Sequence, residues 1–239
     1  MFTGIVKGKG TIESVERHAG LSRICVRLPA DLEIGLERGA SVSVDGVCLT
    51  VTELQHRDVY FDVMQESLTR TTLDQISSGM HVNIERAAKD GAEIGGHPLS
   101  GHIDCTATIV RVETPHNNHV VTFEVPAHWM RYIFPKGYIG LNGTSLTISD
   151  VNKAARTFDV WFIPETLRVT TFGEKRVGDV VNLEIERGTQ VVVDTMRDFL
   201  EERLGKLLPA FESLLEQAGV STEHLVGQAA PALPPPKIT

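Results

Sequence analysis

Four short segments combine glycine with side chains able to move protons or attack carbon. They are Thr3-Gly4-Ile5-Val6, Gly46-Val47-Cys48-Leu49-Thr50, Gly95-Gly96-His97-Pro98-Leu99-Ser100-Gly101-His102 and Gly143-Thr144-Ser145-Leu146-Thr147. Imidazole is the side chain best suited to proton transfer near neutral pH, and a thiol or hydroxyl can serve as a nucleophile beside it. The segments correspond in pairs: Cys48 matches Ser145, and Ile5 matches His102. A thiol and an alkyl group in one copy therefore stand where the other has a hydroxyl and an imidazole. A duplicated binding unit with one chemically enriched copy suggests two related ligands treated differently. Each residue also has a plain structural use. The glycines suit turns, Thr50 and Thr147 suit ordinary strand positions, and His97 suits a packing or a functional role equally well.

These pairs belong to a longer repeat. Asp45-Gly46-Val47-Cys48-Leu49-Thr50-Val51 returns as Asn142-Gly143-Thr144-Ser145-Leu146-Thr147-Ile148, 97 residues later. The same offset places Thr3-Gly4 on Ser100-Gly101 and Asp62-Val63 on Asp159-Val160. Glu66-Ser67-Leu68, Thr71-Thr72 and Val82-Asn83-Ile84-Glu85 return 99 residues on, as Glu165-Thr166-Leu167, Thr170-Thr171 and Val181-Asn182-Leu183-Glu184. So long a period means tandem domains rather than a solenoid: residues 1–94 and 95–188.

Each unit is strand-rich. Ser22–Leu28, Asp58–Met64, Thr108–Glu113 and His119–Val125 alternate polar and apolar, as half-buried strands do. Asp45-Gly46 and Asn142-Gly143 are hairpin-turn dipeptides. Short strands at close spacing predict closed antiparallel barrels or a sandwich, and closure removes exposed edges. Helical turns are expected over Leu68–Leu73 and Ala127–Tyr132. Beyond residue 188, Val193, Leu200, Leu204, Leu207, Phe211, Leu214 and Ala218 form a helical stripe with heptad character. A helical segment is expected over 189–218, broken or kinked at Pro209, and a disordered tail over 219–239.

Composition narrows the function. The chain has 239 residues and a formal charge of −8, which argues against a nucleic-acid partner. Cys25, Cys48 and Cys105 are far apart and lack zinc-site spacing, so a reducing, cytoplasmic setting without a metal is expected. No stretch approaches the roughly 18 apolar residues of a membrane span. No Walker loop, GxGxxG, GxSxG or HExxH motif appears.

Taken together, the segments resemble the riboflavin synthase family. The opening Met1–Val6, Val44–Val51, Gly95-Gly96-His97 with Ser100-Gly101-His102, Gly143–Thr147 and Ile163–Leu167 carry the likeness, which extends to about residue 205. The resemblance implies two tandem six-stranded antiparallel Greek-key barrels, a C-terminal helix and a homotrimer. It implies dismutation of two 6,7-dimethyl-8-ribityllumazine molecules to riboflavin and 5-amino-6-ribitylaminouracil, without cofactor, at sites shared between subunits. Lumazine synthase is a candidate partner. Carried over by motif, the first barrel would bind through Gly4, Ile5, Val6, Cys48, Leu49 and Thr50, with Asp62, Val63, Met64, Gln65, Glu66 and Ser67. The second would use Gly101, His102, Ile103, Lys136, Ser145, Leu146 and Thr147, with Trp161, Phe162, Ile163, Pro164, Glu165 and Thr166. Cys48, His102, Ser145, Thr147 and Glu186 are the catalytic candidates. Family members often carry aspartate where Asn142 and Glu186 stand; the first replacement removes a charge and the second lengthens the side chain.

The residue types suit this chemistry. The lumazine 7-methyl group is acidic because its anion delocalises into the ring, so a modest base suffices. His102 and Ser145 are expected to handle the proton, with Cys48 as nucleophile or positioning group. Holding two planar molecules together supplies proximity, worth on the order of 7–11 kcal/mol in favourable cases. The main alternative is a non-catalytic lumazine- or flavin-binding protein, whose relatives lack polar site residues in one barrel. A reductase flavin barrel would need a nicotinamide domain that this sequence does not show.

Overall fold

The computed structural model describes residues 1–205, 207 and 213–215. Its first barrel is built from β1 (Gly8–His18), β2 (Leu21–Arg27), β3 (Ser41–Val44), β4 (Val47–Gln55), β5 (Asp58–Met64) and β6 (His81–Arg86). The second comprises β7 (Cys105–Glu113), β8 (His119–Glu124), β9 (Tyr138–Leu141), β10 (Thr144–Asn152), β11 (Thr157–Phe162) and β12 (Val180–Ile185). Each closes in the same order, β1-β2-β5-β4-β3-β6 and β7-β8-β11-β10-β9-β12. The neighbours are antiparallel. The repeat extends to the irregularities. The bulge at Ile12/Ser14 recurs at Ile109/Arg111, and that at Val51/Glu53 recurs at Ile148/Asp150, each 97 residues on.

A six-stranded barrel is too narrow to leave a ligand cavity inside. The interiors are filled by Ile24, Val26, Val42, Val44, Phe61 and Ile84 in one and by Ile109, Phe123, Leu141, Phe158 and Val160 in the other, all fully buried. A ligand must therefore bind on the outer walls. Strand alternation decides which residues face that way: in β4, Leu49 is buried while Thr50 is exposed, and in β10 Leu146 is buried while Thr147 is exposed.

The expected hairpin turns do more than reverse the chain. Gly46 and Gly143 lie against each other, so closely that a Cβ on Gly46 would sit 2.6 Å from the Gly143 nitrogen. Two buried asparagines lock the turns. The Asn83 N–H donates to Asp45 Oδ1 (2.7 Å), and its Nδ2 crosses to the Asn142 carbonyl (2.9 Å). The Asn182 N–H donates to Asn142 Oδ1 (2.7 Å), and its Nδ2 crosses to the Asp45 carbonyl (2.8 Å). Their side-chain oxygens accept the N–H groups of Thr171 and Thr72, again across the junction. The barrels are thus joined about a local twofold by a network of buried hydrogen bonds, in which the Asn142 Nδ2 is left without a partner.

Short helices follow β5 and β11: α1 (Gln65–Arg70) and α2 (Pro164–Val169). The 3₁₀ turn Ala127–Tyr132 falls where helical turns were expected. Helix α3 (Arg187–Leu204) carries Val193, Leu200 and Leu204 of the expected stripe. Along it Val192, Met196, Phe199 and Leu200 are about half exposed. Pro209, Phe211, Ala218 and the tail over 219–239 lie outside the described residues. Among the described residues no helix is long and apolar enough to cross a membrane.

Candidate active site

The segment leading into each barrel is anchored on its own barrel and presented to the other. The N–H and Oγ1 of Thr3 both donate to Glu85 Oε1 at 2.6 Å, and the Gly4 N–H donates to Oε2 at 3.0 Å. So held, Gly4 turns its carbonyl to β10, where it accepts the Ser145 N–H at 2.8 Å. The second leader repeats this. Ser100 donates its N–H (2.6 Å) and hydroxyl (2.7 Å) to Glu184 Oε1, and Gly101 donates its N–H to Oε2 at 3.0 Å. The Gly101 carbonyl then accepts the Cys48 N–H of β4 at 2.9 Å. Both glycines need positive φ, +73° and +80°, and an added Cβ would strike Ser145 Cβ at 2.5 Å or Cys48 Cβ at 2.6 Å. Glu85 and Glu184 are nearly fully buried. Burial pushes the Glu85 pKa up, against the Thr3 and Gly4 hydrogen bonds. Neither glutamate stood out by motif, although both recur at the end of the repeated Val-Asn-Ile/Leu-Glu strand.

This crossing corrects the expected grouping. Gly4 belongs with Ser145 rather than Cys48, while Gly101, His102 and Ile103 belong with Cys48. They line a pocket of about 230 Å³ together with Val47, Glu66, Ser67 and Arg70. The expected pair of His102 and Ser145 is not formed; the glycine–strand hydrogen bond carries each leader to the opposite barrel. Ser145 instead meets His97, whose Nδ1 lies 2.6 Å from its Oγ. His97 is 3% exposed and stacks on Tyr138 with ring centroids 5.1 Å apart. Burial pushes its pKa down, while the charge of Glu186 pulls it up; the net direction is down. His97 is therefore neutral at neutral pH, able to exchange a proton with the Ser145 hydroxyl. Its Nε2 is buried without a hydrogen-bond partner.

Glu186 has a structural task as well. Its carboxylate accepts the N–H groups of Gly188 (2.8 Å) and Thr189 (2.6 Å) and the Thr189 hydroxyl (2.7 Å), capping the start of α3. Burial raises its pKa, but these bonds and nearby His97 outweigh it, so the group stays ionised.

The remaining candidates divide by face. Val63 and Phe162, like Leu49 and Leu146, are buried in the barrel cores, so their side chains are not presented to an outer-wall ligand. Val6 is also buried, whereas Ile5 is partly exposed beside Gly95. Asp62, Met64, Trp161 and Ile163 are exposed, as the alternation of β5 and β11 requires. Thr147 pairs across β9 with exposed Tyr138. Gln65, Glu66 and Ser67 open α1, and Pro164, Glu165 and Thr166 open α2; Glu66 and Glu165 are paired with Arg70 and Arg168 on their own helices. Exposed Lys136 sits at a positive-φ position before β9. Asn142 is 1% exposed in the barrel junction, where it holds Asn182 and does not line the Cys48 pocket.

Two copies of one small barrel, each offering an outer-wall site completed by the other's leader, define a tandem ligand-binding domain protein. A family model for the lumazine binding domain matches residues 3–87 and again 100–186. The chain is 44% identical to riboflavin synthase of Escherichia coli, over 92% of this chain and 99% of that one. It is 39% identical to riboflavin synthase of Mycobacterium tuberculosis, over 82% and 98%. Among solved structures, LumP complexed with riboflavin superimposes with a TM-score of 0.73 at 27% identity, covering 78% of this chain and all of that one. LumP complexed with 6,7-dimethyl-8-(1'-D-ribityl) lumazine gives 0.71 at 27% identity and the same coverage. The chain belongs to the riboflavin synthase family.

Proposed function

We propose that the chain converts two molecules of 6,7-dimethyl-8-ribityllumazine into riboflavin and 5-amino-6-ribitylaminouracil by transfer of a four-carbon unit. The observation that carries this is full-length likeness to riboflavin synthases together with the retention of polar, chemically different groups in both barrels. Ser145 and His97 form the proton-handling pair. Neutral His97 takes the proton that the 7-methyl group of one lumazine releases through the Ser145 hydroxyl, and the negative charge of Glu186 stabilises the resulting imidazolium. Cys48 and His102, in the other pocket, hold the second lumazine and position the nucleophile or water that adds to its ring carbon. Thr147, Tyr138 and Trp161 offer the second barrel's outer wall as a platform for a planar ring.

The complete site is assembled between subunits of a homotrimer in the cytoplasm. The half-exposed apolar residues of α3 support the assembly, since an isolated apolar face of this kind is normally covered. The free state of all three cysteines suits a reducing compartment.

The test is direct. Purified protein mixed with the lumazine should generate riboflavin absorbance, with one riboflavin for every two lumazines consumed. Tight binding of lumazine without turnover would instead favour the LumP-like reading of a non-catalytic binder.

A further inference from the structure

A second cavity, of about 400 Å³, opens at the junction of the barrels, away from Cys48 and Ser145. That is a volume suited to a small molecule. Its walls come in repeat-related pairs 99 residues apart, but the two halves have diverged. Ile76 and Met80 of the first unit face the cleft where the second unit has Lys175 and Asp179; Thr72 and Thr171 line it from both sides. The first unit thus supplies an apolar patch at Ile76 and Met80 beside Asp45 and His81, where the second unit is charged.

Two polar groups in this cleft have hydrogen-bonding capacity left over. Asp45 is 5% exposed, and Oδ1 accepts the Asn83 N–H. Among the described residues no hydrogen-bond donor reaches its second oxygen, and Lys175 acts on it only through space. Thr171 is 2% exposed, and its hydroxyl is buried without a partner. Buried polar atoms are ordinarily satisfied, so the Thr171 hydroxyl is an exception, and the second Asp45 oxygen is available to a donor entering the cleft. The other carboxylates of the cleft are already engaged. Glu174 is held by Lys9 at 2.5 Å and by His81 at 3.0 Å, and Asp179 accepts the Arg176 N–H at 2.8 Å.

We propose that this cleft is a binding site for a small organic cation with a flat apolar body, an amidinium or an ammonium. Its N–H groups satisfy the free Asp45 oxygen and the Thr171 hydroxyl, while its body lies on Ile76 and Met80. A charged donor to a carboxylate makes the stronger kind of hydrogen bond, and the carboxylates of Asp45, Glu174 and Asp179 outnumber the Lys175 ammonium in the cleft lining. The proposal is independent of the catalytic reading, because none of these residues belongs to either ligand pocket.

Benzamidinium is a suitable probe, and benzamide is its neutral counterpart of the same shape. The full chain is first saturated with riboflavin, so that the outer-wall pockets are filled, and then titrated with each compound by saturation-transfer NMR and thermal shift. Benzamidinium should bind saturably at millimolar concentration, with affinity lowered by about tenfold or more in Asp45→Asn and lowered also in Thr171→Val. Benzamide should bind at least about tenfold more weakly than benzamidinium. Equal affinity of wild type and both variants for benzamidinium, equal binding of the two compounds, or an unsaturable signal that leaves the cleft to water alone would overturn the proposal.

Discussion

Replacing Asp45 by asparagine should make the protein more stable at neutral and alkaline pH. Burial raises the Asp45 pKa from 3.8 to about 6, although the Asn83 N–H and the charge of Lys175 work against the rise. At roughly 1.4 kcal/mol for each pH unit, the buried carboxylate costs the folded state about 3 kcal/mol once it is ionised. The sign follows from the raised folded-state value. The folded protein holds this proton more tightly than the unfolded chain, so the group's contribution is fully favourable below about pH 3.8, is lost as pH rises through about 6, and is constant above. Asparagine fits the position, because Asn142 already occupies the related turn and accepts the Asn182 N–H through Oδ1 at the same 2.7 Å; an Nδ2 left without a partner, as at Asn142, subtracts from the gain. Urea unfolding of wild type and Asp45→Asn across this range is the assay. The variant should gain up to about 3 kcal/mol at pH 8, a rise in Tm on the order of 10 °C, with the gain vanishing near pH 4. A variant less stable than wild type at pH 8, or a gain that does not shrink on acidification, would refute the reasoning. A cation in the junction cleft would reduce the gain, because it stabilises the ionised carboxylate.

Further outcomes follow from the crossed leaders and the α3 helix. His97→Ala and Ser145→Ala should each lower single-turnover rates by about 10²-fold or more and should be non-additive in combination, whereas independent effects would separate the pair. When Cys48→Trp and Ser145→Ala chains are denatured together and refolded, activity should exceed the mean of the two homotrimers, because a whole site reappears between subunits. A Cys48→Trp and His102→Ala mixture should show no such rescue, since both changes damage the first-barrel pocket. A fragment of residues 1–94 should fold and dimerise, Gly4 of one copy replacing Gly101 against Cys48 of the other; a monomer in sedimentation that binds riboflavin as well as the dimer would contradict the crossing. Truncation after Gln190 should leave folded monomers with little activity, and an unchanged trimer in sedimentation would exclude α3 as the assembly element.

What the sequence made legible was whatever depends on local pattern. The out–in–out alternation of Cys48, Leu49 and Thr50 marks a strand with one face on a core, and β5 spans the expected Asp58–Met64. Many short strands narrowed the fold to closed barrels or a sandwich, the family resemblance selected barrels, and the ordered repeat required that whatever one unit became, the other became too. The same repeat carried the Gly4–Gly101 and Cys48–Ser145 equivalences into the site.

A repeat states which positions are equivalent, but it is silent about which barrel an equivalent position faces. A leader folded back on its own barrel and a leader crossed to the other give the same pairs of matching residues. The choice is made by hydrogen bonds remote in sequence. Glu85 and Glu184 each tie down three donors of their own leader, and this leaves the glycine carbonyl free only toward the opposite strand. Once Gly101 is bonded to Cys48, His102 follows it into that pocket, and His97, on the other side of the Phe2–Leu99 bridge, is left beside Ser145. Only four residues thus separate two histidines that serve different barrels. The divergence of the copies then acquires a physical meaning. The leaders, the buried glutamates and the asparagine lock have kept their twofold relation because they hold the barrels together. Cys48 against Ser145 is free to differ because the bond to the leader is made by the backbone N–H, and Asp45 against Asn142 can differ because either side chain supplies the Oδ1 that accepts the asparagine N–H.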